Sequence, residues 1–250
     1  MQEDILLKNR FRDLANRAYE QNQFTFTGFL NAMEISTLGS CAKELSYIPY
    51  TIFGGYEGSE RQIVRFGSNE MFGYEIEFPI CCILVEPLLK KFSDEFSHRD
   101  FLGALMNLGM ERTTIGDIVV QKQSAHIFCL EKMAPFILDN LKKVKHTHMK
   151  CEIVKDLPET IFHVFTDLEV IVPSERIDAV LSKVLQMSRS KSIQLFQERK
   201  IFVNTKLCEN NTYSLKKNDI IAVRGVGKMK YEGVIYETKK EKRCVRLKKY

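Results

Sequence analysis

Seven consecutive apolar residues, Pro79 to Val85 (PICCILV), set the tightest limit on what this chain can fold into. The run is far shorter than the ~20 residues a membrane span requires. It also lacks the polar positions of an amphipathic helix, so it reads as a short buried strand. Beyond it the chain alternates between helical and strand periods. His98 to Gly109 carries helix signals, with Ser97 as N-cap, Asp100 in the first turn, Leu102, Leu105 and Met106 as the apolar stripe and Gly109 as the stop. Asp117 to Gln121 and Ala125 to Leu130 are β-rich and separated by a short polar turn. A second helix is predicted from near Pro135, with Ile137, Leu141 and Val144 on one face. Lys142, Lys143 and Lys145 then fall at its C-terminal end, where the dipole favours cations. Met149 to Val154 closes as a strand. The order β-α-β-β-α-β is the split βαβ, ferredoxin-like arrangement, an alpha-beta plait over residues 72–156.

Two further domains are expected around this one, giving an α+β protein. Residues 1–71 form a mainly helical segment, because Leu6, Leu7, Phe11, Leu14 and Ala18 follow helical spacing. Gly54, Gly55 and Gly58 mark a loop there, and Ile63 to Phe66 a short strand. Residues 173–250 form the third domain. Ile177, Val180, Leu181, Val184 and Leu185 make a regular i, i+3, i+4, i+7, i+8 stripe, and Ser188 caps a second helix running to about Arg199, with Ile193 and Phe196 inward. Strands come next at Ile201–Val203 and Ile220–Val223, and the tail reads as a β-hairpin turning near Lys240.

Charge is segregated along the chain. Residues 1–170 hold 18 Lys and Arg against 24 Asp and Glu; residues 171–250 hold 19 against 8, a net of +11. A basic end on a more neutral body suits a polyanion, although a solvated lysine-rich surface would give the same count. The N-terminus, MQEDILLKNRFRDL, has acids where a secretion signal would carry a basic region, so a cytoplasmic protein is expected. Seven scattered cysteines without a CxxC pair then read as reduced structural thiols, and no metal site or cofactor is expected.

The string from Arg176 to Val223 resembles the RNA-binding module named after ribosomal small-subunit protein four, the S-four domain. Its landmarks are Arg176-x-Asp178, Leu181, Ser188-Arg189-Ser190, Leu195, Val203-Asn204-x-Lys206 and Asp219-Ile220. Thr205 stands where that pattern usually has glycine. FGGYEGSER, SHRDFLGALMNLGMERTTIGDI and VRGVGKMK extend the likeness over nearly the whole chain, which resembles the YlmH family of bacterial proteins. Lys228 replaces the family's usual arginine. The resemblance implies binding to the large ribosomal subunit or its rRNA, with peptidyl-tRNA, in ribosome-associated quality control.

On that reading, Arg176 and Arg189 open two helices whose free N–H groups suit phosphate. Both cations oppose the helix dipole, a misfit of about 0.3–1 kcal/mol each. An anionic partner would relieve it, and so would an ion pair of Arg176 with Asp178 or Glu175. Ser188 suits a cap or an RNA contact. Lys191, Gln194, Lys200, Asn204 and Lys206 extend the same expected face, and Asn204 equally suits a turn former. Arg224 and Lys228 bracket a glycine loop that would let backbone approach phosphate, though it also serves as a plain turn. Structured RNA would be recognised by shape and phosphate.

Other classes fit less well. An RNA-modifying enzyme carrying an S-four domain would need a nucleotide fold or a catalytic domain that the pattern lacks. His98 and Asp100 are more economically a helix start, and His146-x-His148 with Cys151 is weak as a metal set. A protein-interaction adaptor linked to cell division is the third alternative. The expectation is a non-catalytic, monomeric RNA binder with no membrane or small-molecule partner, its first two domains serving to position it or contact protein.

Overall fold

Short strands and capped helices track the alternation of period along the chain. The computed structural model describes residues 2–89, 95–121, 123–155, 157 and 166–249. The outer ends of the expected first and last domains, Met1 and Tyr250, and Asp156 at the end of the middle one, lie outside them. The chain divides into two compact units, Met1–Phe162 and His163–Tyr250.

The first unit begins with α1 (Gln2–Gln21), β1 (Thr25–Phe26), α2 (Ala32–Cys41), β2 (Tyr50–Phe53), β3 (Ile63–Phe66) and α3 (Asn69–Phe72). The helices accompany a three-stranded antiparallel sheet, ordered β1-β3-β2. Asn31 caps α2 by accepting from the Met33 and Glu34 N–H groups, while Glu34 accepts from the Asn31 N–H. In α1, Phe11, Ala15 and Ala18 are buried and Leu7 and Leu14 pack beside them. Leu6, expected in that stripe, is 65% exposed; the helix turns its buried face one position round.

The same unit continues with β4 (Ile80–Pro87), α4 (His98–Asn107), β5 (Ile115–Gln121), β6 (Ser124–Leu130), α5 (Ala134–Asn140), β7 (Lys143–Val144) and β8 (Thr147–Val154). The sheet is ordered β5-β6-β4-β8-β7 and is antiparallel throughout. Without the added edge strand β7, this is the split βαβ order expected from the sequence. Two details differ. Phe101 and Leu105 are the buried residues of α4, whereas Met106 is largely exposed. And α5 stops at Asn140, so Lys142, Lys143 and Lys145 are not helical. Leu141 leaves the helix with ψ 72°, and Lys145, at φ 52°, makes the tight turn that folds β7 back on β8.

The second unit comprises β9 (Thr166–Val172), α6 (Ile177–Val184), α7 (Arg189–Gln197), β10 (Ile201–Val203), β11 (Lys206–Leu207), β12 (Ile220–Val223), β13 (Gly227–Glu237) and β14 (Arg243–Lys249). One six-stranded antiparallel sheet runs β11-β10-β12-β13-β14-β9. The strand β9 precedes Pro173, where the last domain was expected to start, and pairs along its length with β14. The α6 stripe is as expected: Ile177, Val180 and Leu181 are fully buried, with Val184 and Leu185 beside them. In α7 the inward residues are Phe196 and Leu195 with buried Ser192. Ile193 is only half-buried and stands outside that core. All seven cysteines are free thiols.

Candidate nucleic-acid interface

The start of α6 and the start of α7 meet at a single carboxylate. Asp178, in the first turn of α6, is 1% exposed. It accepts from Arg176 Nε at 3.1 Å and from an Arg176 terminal nitrogen at 2.9 Å, and Arg189 Nε lies 3.6 Å away. The Ala179 N–H also donates to it at 2.8 Å. Buried Ser192 of α7 donates its hydroxyl to the Asp178 carbonyl at 3.1 Å, so both ends of the residue join the helices. The misfit of two cations at helix starts is thereby relieved from within. The Arg176–Asp178 ion pair anticipated as an alternative is present, and the outer parts of both guanidiniums remain in solvent at 39% and 56% side-chain exposure. Arg176, held by two hydrogen bonds, and Arg189, in a looser ion pair, together leave a net positive patch around one buried anion.

The other expected residues fall into separate groups. Ser188 caps α7, accepting from the Lys191 N–H at 3.3 Å, and its hydroxyl lies 3.0 Å from that of Ser190. Lys191 is exposed in the first turn. Gln194 and Lys200 both meet Glu198 at the far end of α7, at 2.7 and 2.6 Å. Lys200 first and Gln194 second, they hold its carboxyl below the usual carboxylate range. Arg224, exposed at the β12–β13 turn, is brought to the same end because its N–H donates to the Lys200 carbonyl.

Asn204 serves its own hairpin. Val203 pairs with Lys206, so Asn204 and Thr205 are the two turn residues, both with positive φ, 49° and 66°. The Asn204 amide donates to Asp219 and accepts from the Ile220 N–H. Buried Asp219 also accepts from the Tyr213 hydroxyl and the Lys216 N–H. Lys206 is exposed beside the turn. Lys228 lies elsewhere: Ile221, Val223 and Met229 face the helix-side core, so alternation puts Lys228, paired with Ala222, on the opposite face of the sheet. Arg243, in the lysine-rich tail, is tied to Glu175, which also accepts from the Tyr231 hydroxyl.

In the first unit, two of the strings that carried the family likeness meet. From FGGYEGSER, the Tyr56 hydroxyl and the Glu60 N–H donate to one oxygen of Asp117, and the Arg61 N–H donates to the other. The Arg61 guanidinium donates to the carbonyls of Phe29, Arg112 and Ile115. Burial lowers the pKa of Arg61, and lowers that of Arg112 to about 10. A Cβ on Gly116 would lie 2.7 Å from the Phe29 ring, and one on Gly55 2.5 Å from the Phe128 ring. These residues lock the N-terminal segment onto the middle sheet. The capping reading of α4 also holds, since the Ser97 N–H and hydroxyl both donate to Asp100 at 2.7 Å. Among the described residues, no group of three His, Cys, Asp or Glu is placed to hold a metal ion, and no helix is long and apolar enough to cross a membrane.

Sequence reasoning misses a basic groove beside α4, lined by Arg99, Lys142, Lys143 and Lys145. Its signal is the KKVK string, which spacing alone assigns to a helix end.

Comparison with known proteins bears out the family likeness. Residues 76–156 match the family model described as "Putative RNA-binding domain in YlmH". The chain is 27% identical over 229 residues to the ribosome-associated protein quality control protein P2 of Bacillus subtilis, covering 89% of this chain and 86% of that protein. Its fold is similar to that of the cell division protein ylmH from Streptococcus pneumoniae, with a TM-score of 0.52 and 21% identity over 64% of this chain and 94% of the other. The matched residues fall in the middle domain, for which the sequence suggested only positioning or protein contact.

Proposed function

Starting from its likeness to the YlmH family, we propose that this chain is a non-catalytic, cytoplasmic RNA-binding protein that joins the large ribosomal subunit during quality control of stalled translation, contacting rRNA and peptidyl-tRNA as a monomer. Its second unit is the S-four-like reader. One observation carries the proposal: Arg176 and Arg189 converge on buried Asp178 with their outer edges exposed. A guanidinium hydrogen-bonded as that of Arg176 meets phosphate at reduced entropic cost, because its geometry is set before binding, and Arg189 adds charge beside it. The quality-control name of the Bacillus subtilis relative supports the setting.

The test is co-sedimentation of the Arg176→Glu/Arg189→Glu variant with purified large subunits. Loss of association with an unchanged circular dichroism spectrum is expected; normal occupancy would sink the proposed surface. The absence of catalysis is tested by mass spectrometry of rRNA and tRNA nucleosides with and without the protein. A modification lost on deletion and restored by purified protein would make the chain an enzyme.

A further inference from the structure

We infer that the middle domain takes the phosphate backbone of RNA in the groove beside α4, on the helix side of its sheet. The inference rests on the RNA-binding reading above and adds a second contact surface to it.

Small α/β sheets that bind RNA commonly do so on an open sheet face, stacking bases on exposed aromatics. Here the one aromatic that the strands place on that face is covered. Phe128, the aromatic of β6, is 1% exposed and lies under Tyr56, ring centroids 4.9 Å apart. Phe29 and Ile63 complete the cover over Cys82 and Phe128. The contacts at Gly55 and Gly116 leave no room for a methyl group, so a base could not slide between. The rest of the face, along β8, is open but carries no Phe, Tyr or Trp, so the strands offer no exposed stacking platform.

The helix side offers a different surface. A groove of about 580 Å³ is lined by Arg99, Lys142, Lys143 and Lys145, with Asn107 and Asn140 on its wall. One acid, Asp100, lines it against those four cations, and Asp100 is spent on Lys145, at 3.1 Å, and on capping α4. Among the described residues, the side chains of Arg99 and Lys143 have neither hydrogen-bond nor ion-pair partner. Lys142 donates to the Leu138 carbonyl at 3.0 Å and Lys145 to the Glu95 carbonyl at 2.8 Å, which tethers both ammonium groups while each keeps a further donor. Cations lining a concave wall reinforce one another's field, which draws in a polyanion. The Asn140 amide nitrogen donates to the Phe136 carbonyl, leaving its oxygen to accept from a 2′-hydroxyl.

The experiment uses the full chain and fluorescence anisotropy against fluorescein-labelled fragments of large-subunit rRNA. The groove variant is Arg99→Gln/Lys142→Gln/Lys143→Gln. A control variant, Lys8→Gln/Arg10→Gln/Arg17→Gln, removes the same charge from α1. The groove variant should bind about tenfold more weakly or worse, and its slope of log affinity against log salt should fall by about 2–3. The control should change neither. Wild-type affinity in the groove variant, or an equal loss in the control, overturns the groove as the site. If the wild type itself fails to bind the fragments, the RNA-binding reading fails instead. A groove effect that persists when Arg176 and Arg189 are both already replaced by Glu would establish the two surfaces as independent.

Discussion

Asp178 and Arg189 stand on different helices, yet a carboxylate oxygen of one lies 3.6 Å from Nε of the other, with Arg176 closing on the same buried group. The acid is the interior member of the trio and the arginines its solvent edge. Replacing interior and edge should therefore have unequal effects.

Asp178→Asn keeps the shape and removes the charge, leaving two cations at helix starts without a counter-ion. A loss of about 1–3 kcal/mol is expected in urea unfolding. Arg189→Gln leaves Asp178 paired with Arg176 and should cost below about 1 kcal/mol. Equal losses would mean that the carboxylate does not organise the junction.

Thr205 occupies a left-handed turn position at φ 66°, a conformation that costs a side-chain-bearing residue ~1–2 kcal/mol. Thr205→Gly removes that strain but adds freedom to the unfolded chain, so a net gain of about 0.5–1 kcal/mol is expected. Asn204→Ala should do the reverse. It strips Asp219 and the Ile220 N–H of a partner, with a loss of about 1–3 kcal/mol. Chemical denaturation of the two variants checks both signs.

The lock between the N-terminal segment and the middle sheet predicts a severe effect from one methyl. Gly116→Ala drives a carbon into the Phe29 ring and should cost about 1–3 kcal/mol. Tyr56→Phe keeps the ring but withdraws a hydrogen bond from Asp117, at about 1–2 kcal/mol. Thermal unfolding monitored by far-ultraviolet circular dichroism tests both; unchanged midpoints would show that the segment is not held there.

Asp100 titrates abnormally. Hydrogen bonds from the Ser97 backbone and hydroxyl come first and Lys145 adds to them, lowering its pKa from the ordinary 3.8 to about 2. A depressed carboxyl stabilises the fold above its unfolded pKa. Its contribution should therefore be complete above about pH 4 and disappear as pH falls from about 3.8 to about 2. Asp100→Asn should flatten the stability profile in that window and leave the profile around neutral pH parallel to wild type.

Much of this was legible along the chain because sequence period and local structure agree. The α6 stripe from Ile177 to Leu185 could be little else, and the alternation after Pro79 ordered the middle strands. What escaped depended on partners far away in sequence. β9 alternates Leu168, Val170 and Val172 inward, but its neighbour is β14, with Glu169 opposite Arg246. Lys142, Lys143 and Lys145 fit a helix end until Leu141 breaks the helix. At the site, Arg176 and Arg189 stand out as misplaced cations. That one buried aspartate holds both is a result of packing, which spacing alone does not report. Asn204 carried two readings from the start, and its amide is committed to Asp219 and Ile220.

The position of β14 between β13 and β9 bears on how the second unit is made. Val172 sits opposite Arg243 and Thr166 opposite Lys249, so β9 waits for a mate synthesised some seventy residues later. During translation the strand must stay unpaired while both helices and four other strands emerge. The unit can close only when residues 243–249 have left the exit tunnel. A message cut short before that point would leave β9 and β13 each with an open edge. Arg243 reaches Glu175 only at the same late moment, so the ion pair beside α6 and the last strand pairing arrive together.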